Sequence, residues 1–158
     1  MGTGIIFDDS LWPLLISHFP RKVSDSDFEE YLRQGAAYLE RGELYVSVLD
    51  MGRLSLPTAE QRQRQLEWMR GKERAMREQV IGCAFIIHSP LIRLSLSTIF
   101  HILPLPAPYV AVSDMASGLR WALGRLEERG LHEAAERVRG LLLAASAGDA
   151  PPNPTHPG

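Results

Sequence analysis

The sequence predicts an α/β domain built on a mixed sheet of four or five strands. Short apolar runs alternate with helical stretches from Ile5 to Leu142, an order that makes most strands parallel neighbours joined by crossovers. The composition is that of an ordinary globule, with 45% hydrophobic and 23% charged residues. A length of 158 residues suits one core, because cores stop growing only beyond about 250 residues.

Each element has its own signal. Ile5 to Phe7 and Leu11 to Phe19 are apolar runs separated by Asp8-Asp9-Ser10, which reads as a hairpin with a polar connection. Pro13 cannot donate to a ladder and pushes the second run toward an edge or an irregular strand. Ser24 to Asp27 offers N-cap oxygens to a helix whose Phe28, Tyr31, Leu32, Ala36 and Leu39 follow helical spacing, with Gly42 as its stop. Leu44 to Leu49 reads as a buried strand that empties into the loop Asp50 to Pro57. Thr58-Ala59-Glu60-Gln61 is a capping-box pattern, and a long charged helix follows to about Gln79, with Leu66, Met69 and Met76 on one face.

Val80 to Ile87 is a continuous apolar run fit for a central strand. Pro90 suits the first turn of a helix that extends to Leu103, with only Arg93, Ser97 and His101 as a narrow polar stripe. Tyr109 to Val112 is a last short strand. Ser113 or Asp114 then caps a helix that carries Met115, Leu119, Ala122, Leu123 and Leu126 on its core face and ends at Gly130. A further helix over about His132 to Ala145 packs on the domain or on a partner, and the Pro-rich end has the composition of a disordered tail.

Charge and motifs exclude several functions. Seventeen Lys and Arg against 19 Asp and Glu leave a net charge of -2, too balanced to draw in nucleic acid by its overall field. On the charged helix, Arg62, Arg64, Arg70, Lys72, Arg74 and Arg77 stand against Glu60, Glu67, Glu73 and Glu78, the pattern of a solvated face with internal ion pairs. The single cysteine, Cys83, cannot close an internal disulfide and reads as a small core residue. His18, His88 and His101 lie at no short ligand spacing, so no metal is expected, and without a Gly-rich phosphate loop no cofactor is either. Ser89 and Ser113 follow strands, with His88 or His101 and Asp50 or Asp114 as conceivable partners. The nucleophile-elbow pattern is missing, so no catalytic residue is assigned and an enzyme is not expected. The stretch Val80 to Val112 is interrupted by Arg93, two histidines and four prolines and does not read as a membrane span. Asp8 and Asp9 interrupt any signal core, Ile6 stands where myristoylation expects Ser or Thr, and a cytoplasmic location follows as the expectation.

Together, the strand ending at Asp50 before a helix, the strand Val80 to Ile87, and the run Tyr109-Val110-Ala111-Val112-Ser113-Asp114-Met115-Ala116 before Leu119, Trp121, Ala122 and Leu123 resemble a STAS-type domain. This is the fold of the anti-sigma-factor antagonists and related STAS/SEC14-like bacterial proteins, and the resemblance covers roughly residues 5 to 129. It implies helices packed mainly on one face of the sheet, a STAS-like domain over 1–130, a C-terminal helix over 131–147 and a tail over 148–158. It also implies a non-catalytic module that binds protein partners, often switched by phosphorylation at the start of the helix after the second long strand. That position falls near Ala59 or Glu60, neither of which is a hydroxyl, and leaves Ser55 and Thr58 as the nearest candidates.

The expected partner-binding or regulatory residues are therefore Asp50, Arg53, Ser55, Thr58, Arg62 and Arg70, in the loop Met51 to Thr58 and the charged helix. The helix from Leu91 exceeds one apolar stripe, so Leu91, Leu94, Ile99 and Leu105 are expected at an apolar interface. Four covers compete for it: the chain's own C-terminal helix, a second copy in a homodimer, a different protein, or an apolar ligand or lipid held beneath it.

Overall fold

The computed structural model describes residues 4–148; Gly148 of the expected tail ends the last helix, and the rest of that tail and the myristoylation position Gly2 lie outside the described residues. Five strands form one sheet in the order β1-β2-β3-β4-β5: β1 (Ile6–Leu11), β2 (Leu14–His18), β3 (Tyr45–Asp50), β4 (Val80–Ile86) and β5 (Tyr109–Val112). β1 runs antiparallel to β2, and every later pair is parallel, so the sheet is mixed as expected. Five helices complete the chain: α1 (Asp25–Glu40), α2 (Ala59–Gln79), α3 (Pro90–Ile102), α4 (Met115–Glu128) and α5 (His132–Gly148).

Sequential strand order decides where the helices go. The crossovers β2-α1-β3, β3-α2-β4 and β4-α3-β5 all step the same way across the sheet, and crossovers of one hand that step one way must lie on one face. That face carries Leu15, Phe19, Tyr45, Leu49, Cys83 and Phe85, packed against residues of α1, α2 and α3. After β5 the chain turns to the other face, where Leu119, Ala122 and Leu126 of α4 and Ala134, Ala135 and Val138 of α5 cover Val46, Val48, Ile81 and Ile86.

The caps follow the local sequence. Ser24 accepts from the Asp27 amide at 3.1 Å. At α2 the capping box is complete: the Gln61 amide donates to Thr58 Oγ1 at 3.1 Å and the Thr58 amide donates to Gln61 Oε1 at 3.3 Å. Asp114 caps α4 by accepting from the Ser117 amide at 2.7 Å, and that bond holds its carboxyl below the usual range. Gly42 and Gly130 end α1 and α4 at φ of 69° and 75°, in the left-handed region.

Two expectations are corrected. The hairpin turns at Trp12-Pro13, because Asp8 to Ser10 belong to β1 and take up an irregularity in its pairing. Pro13 thus sits in the turn, offers only its carbonyl, to the Val46 amide at 2.9 Å, and leaves β2 free to be an interior strand between β1 and β3. The C-terminal helix does not cover α3, since it packs on α4 across the sheet.

Gly82 marks the tightest point of the α4 face: a Cβ there would lie 2.6 Å from the Trp121 ring and 3.2 Å from Arg125 Cγ. Gly82→Ala should therefore destabilise the protein by about 1–3 kcal/mol, as overpacking does. Urea unfolding checks this, and an unchanged midpoint would show that the ring moves aside freely.

Candidate functional site

The helices over the β2-β3-β4 face do not close on it completely. Three small side chains sit in the middle of that face, Ser17 on β2, Ser47 on β3 and Cys83 on β4, and Ser47 and Cys83 are direct neighbours in register. On α1, Gly35 stands opposite Trp68 of α2, where even a Cβ would be 3.3 Å from the ring. Small residues below and a bulky contact above leave a cavity of about 180 Å³ between sheet and helices.

Its walls are stiff. Tyr31 stacks on Phe7 at 5.6 Å and meets Phe19 edge-on at 5.2 Å, while at the α3 side Phe85 and Phe100 lie 5.6 Å apart. Met69 and Met76 of α2 and Ile92, Leu96 and Ile99 of α3 complete the apolar lining. Burial pushes the Tyr31 and Tyr45 phenols upward, and it pushes the Cys83 thiol up to about 12, so all three face the cavity uncharged.

The rim is polar. Leu54 and Pro57 of the β3-α2 loop and Arg62 and Gln65 of α2 are half-buried there. Gln61 is buried and committed, donating to the Val23 carbonyl at 2.9 Å and to Asp25 Oδ1 at 3.1 Å. Arg62 donates to the Pro57 carbonyl at 3.2 Å. Ser95 Oγ on α3 is buried with no hydrogen-bond partner among the described residues.

The expected site residues divide between this cavity and the outer surface. Arg62, Ile99 and Leu105 line the cavity. Arg53, Ser55 and Thr58 are exposed along the loop, where the Ser55 amide donates to the Arg21 carbonyl at 2.8 Å, and Arg70 is exposed on α2. Asp50 ends β3 half-buried, accepts from the Gly52 amide at 3.1 Å and lies 3.6 Å from His18 Nδ1. Leu91 and Leu94 are 58% and 64% exposed on the outer side of α3, joined there by Ile102, and Tyr109 of β5, half exposed, packs its ring on Phe100.

The charged face of α2 is largely self-paired. Arg64 binds Glu29 and Glu67, Arg74 binds Glu78 at 3.0 Å, and Arg77 binds Glu73 at 2.5 Å. His88 Nε2 lies 2.7 Å from the Ser113 carbonyl oxygen, and its ring packs against Gly52, where a Cβ would come within 2.9 Å. Reading along the chain did not pick out Ser17, Ser47 and Ser95 as cavity residues. For Ser47 the signal was available: in Tyr45-Val46-Ser47-Val48-Leu49, period two puts a small polar side chain between Tyr45 and Leu49 on one buried face.

Comparisons add the fold. No family model matches the chain, and no curated protein matches it. One solved structure, an uncharacterized protein from the DUF3478 family with a SpoIIAA-like fold from Shewanella loihica PV-4, is similar with a TM-score of 0.57 and 15% identity. The match covers 75% of this chain and 92% of that one. The chain therefore has a SpoIIAA-like, STAS-type fold, as the resemblance implied.

Burial protects the thiol at the cavity floor. Because the raised pKa of about 12 keeps Cys83 protonated at pH 8, a disulfide reagent should label it at least roughly a hundredfold more slowly in the native protein than in urea. Timed absorbance of the released thiolate measures this, and fast native labelling would mean that the cavity opens readily to solutes.

Proposed function

We propose that this protein is a non-catalytic STAS-like module that takes up a small apolar molecule between its sheet and α1, α2 and α3. The observation that carries the reading is the cavity itself, lined by apolar and aromatic side chains. An engineered apolar cavity of about 150 Å³ binds benzene. By that ruler this one accepts a body of about six to eight carbon atoms. At about 0.8 kcal/mol per buried methylene, such a body gains some 5–6 kcal/mol, which corresponds to a Kd of roughly 0.1 mM. The absence of catalysis is part of the proposal. It is supported by His88 being engaged by a backbone carbonyl and by Asp114 being spent on a helix cap.

1-Octanol is the test ligand. Near tenfold its Kd it should raise the melting temperature of the wild type by roughly 2–5 °C. Ser47→Leu, which fills the floor, should lose that response while remaining folded by circular dichroism, and Cys83→Leu repeats the test from the neighbouring strand. An equal response in wild type and both filled variants would overturn the reading, as would no response in the wild type.

A second reading rests on the outer side of α3. Leu91, Leu94, Ile102 and Tyr109 are all about half or more exposed, a surface suited to a protein partner or a second copy of the chain. Under this reading the domain is a regulatory interaction module of the cytoplasm, and the β3-α2 loop and α2 border its contact. Leu94→Asp should leave stability within about 0.5 kcal/mol, as surface changes do. It should also abolish self-association in sedimentation velocity or recovery of a defined partner. If both survive the substitution, α3 is not the contact.

A further inference from the structure

We infer that the ligand of the cavity is an anionic amphiphile, an apolar body of about six to eight carbons with a carboxylate head held by Arg62 at the rim. The inference rests on the proposed cavity function and specifies the chemistry of its ligand.

Charge distribution carries the argument. Of the residues that line the cavity, Arg62 is the one with a formal charge, and no Asp or Glu lines it. Arg64, Arg74 and Arg77 on the same helix are bound to carboxylates, whereas Arg62, Arg70 and Lys72 form no salt bridge among the described residues, and of these three Arg62 is the one that lines the cavity. Its one side-chain hydrogen bond among the described residues is to the Pro57 carbonyl, and a guanidinium carries five N–H donors. Asp25, Glu29 and Glu60 lie nearby, but they line a second hollow that adjoins the cavity at Phe28 and Gln61, and Gln61 donates to Asp25.

A second group points to the same rim. α2 and α3 both run back between successive parallel strands and are therefore parallel to each other, and Leu66 and Met69 of α2 share one cluster with Ile99 of α3. One helical turn toward the N-terminus from Leu66 and Ile99 come Arg62 and Ser95. A helical serine can bond the carbonyl four residues back, as Thr98 does with Leu94 at 2.9 Å, yet Ser95 Oγ is buried and has no partner among the described residues. Both groups are donors in want of an acceptor, and both lie toward the carboxyl ends of the strands, the edge at which open α/β sheets hold ligands. A carboxylate supplies two acceptor oxygens in the fork geometry that arginine matches, and its apolar tail lies inward on Ser47 and Cys83.

The experiment compares octanoate, 1-octanol and octylamine by isothermal calorimetry on the wild type, Arg62→Gln and Arg62→Lys. In the wild type octanoate should bind about tenfold tighter than octanol, and octylamine weaker than both, since a charged hydrogen bond at a half-buried site is of that order. In Arg62→Gln the octanoate-to-octanol ratio should fall to about one, with Arg62→Lys in between. 3-Phenylpropanoate against octanoate tells an aryl from an alkyl body. Octanol binding with no octanoate preference, or a preference that Arg62→Gln leaves unchanged, overturns the anionic head. Failure of octanol itself to bind the wild type overturns the underlying cavity reading instead.

Discussion

One topological constraint organises the molecule. Because β2, β3, β4 and β5 are added in sequential order, the three crossover helices are forced onto a single face and lie as one layer. A layer of three helices must match the shape of the strand face beneath it all along its width. Where that face carries Ser17, Ser47 and Cys83 in its middle, the helices would have to sink by a side chain's depth to maintain contact. Tyr31, Trp68 and Phe100 hold them off, and the result is a cavity where a typical core would be filled. The opposite face has no such conflict, because Ala122 of α4 and Gly82 of β4 let helix and sheet approach closely.

How far the sequence foretells this depends on the range of the physics involved. Helix starts are local, so Thr58 with Gln61, and Asp114 before Met115, were legible as caps, and so was the alternation that yields a mixed sheet. The ion pairs within α2, such as Arg74 with Glu78, follow from helical spacing alone. Arg64 to Glu29 does not, since it depends on α1 and α2 lying side by side. The hairpin turn was misplaced because the acidic run Asp8 to Ser10 is a stronger local turn signal than Trp12-Pro13, and pairing with β2 overrides it. The cavity was hidden for the same reason in larger measure. Period two shows Ser47 as a small side chain on a buried face of its own strand, but only the register of three strands gathers it with Ser17 and Cys83.

Fold likeness and site chemistry answer different questions here. The similarity to a SpoIIAA-like structure at 15% identity speaks to the path of the chain, and one path supports many functions. What distinguishes this chain is where it departs from a filled core and from a self-neutralised surface. Those departures meet at Arg62, one of three cations on α2 without a salt bridge among the described residues and the one that lines the cavity. The apolar lining carries the reading of the cavity, and the charge of Arg62 at the rim bears on the head group of its ligand.

α3 is where the two readings of function meet. Ile92, Leu96 and Ile99 face the cavity while Leu91, Leu94 and Ile102 face outward, so the helix is apolar on both sides because it has two surfaces to satisfy. A helix covering a filled core would gain nothing from its outer leucines, and a helix serving only as a docking ridge would have no use for an unpartnered Ser95 on its inner side. The cavity lining and the outer surface thus belong to one helix.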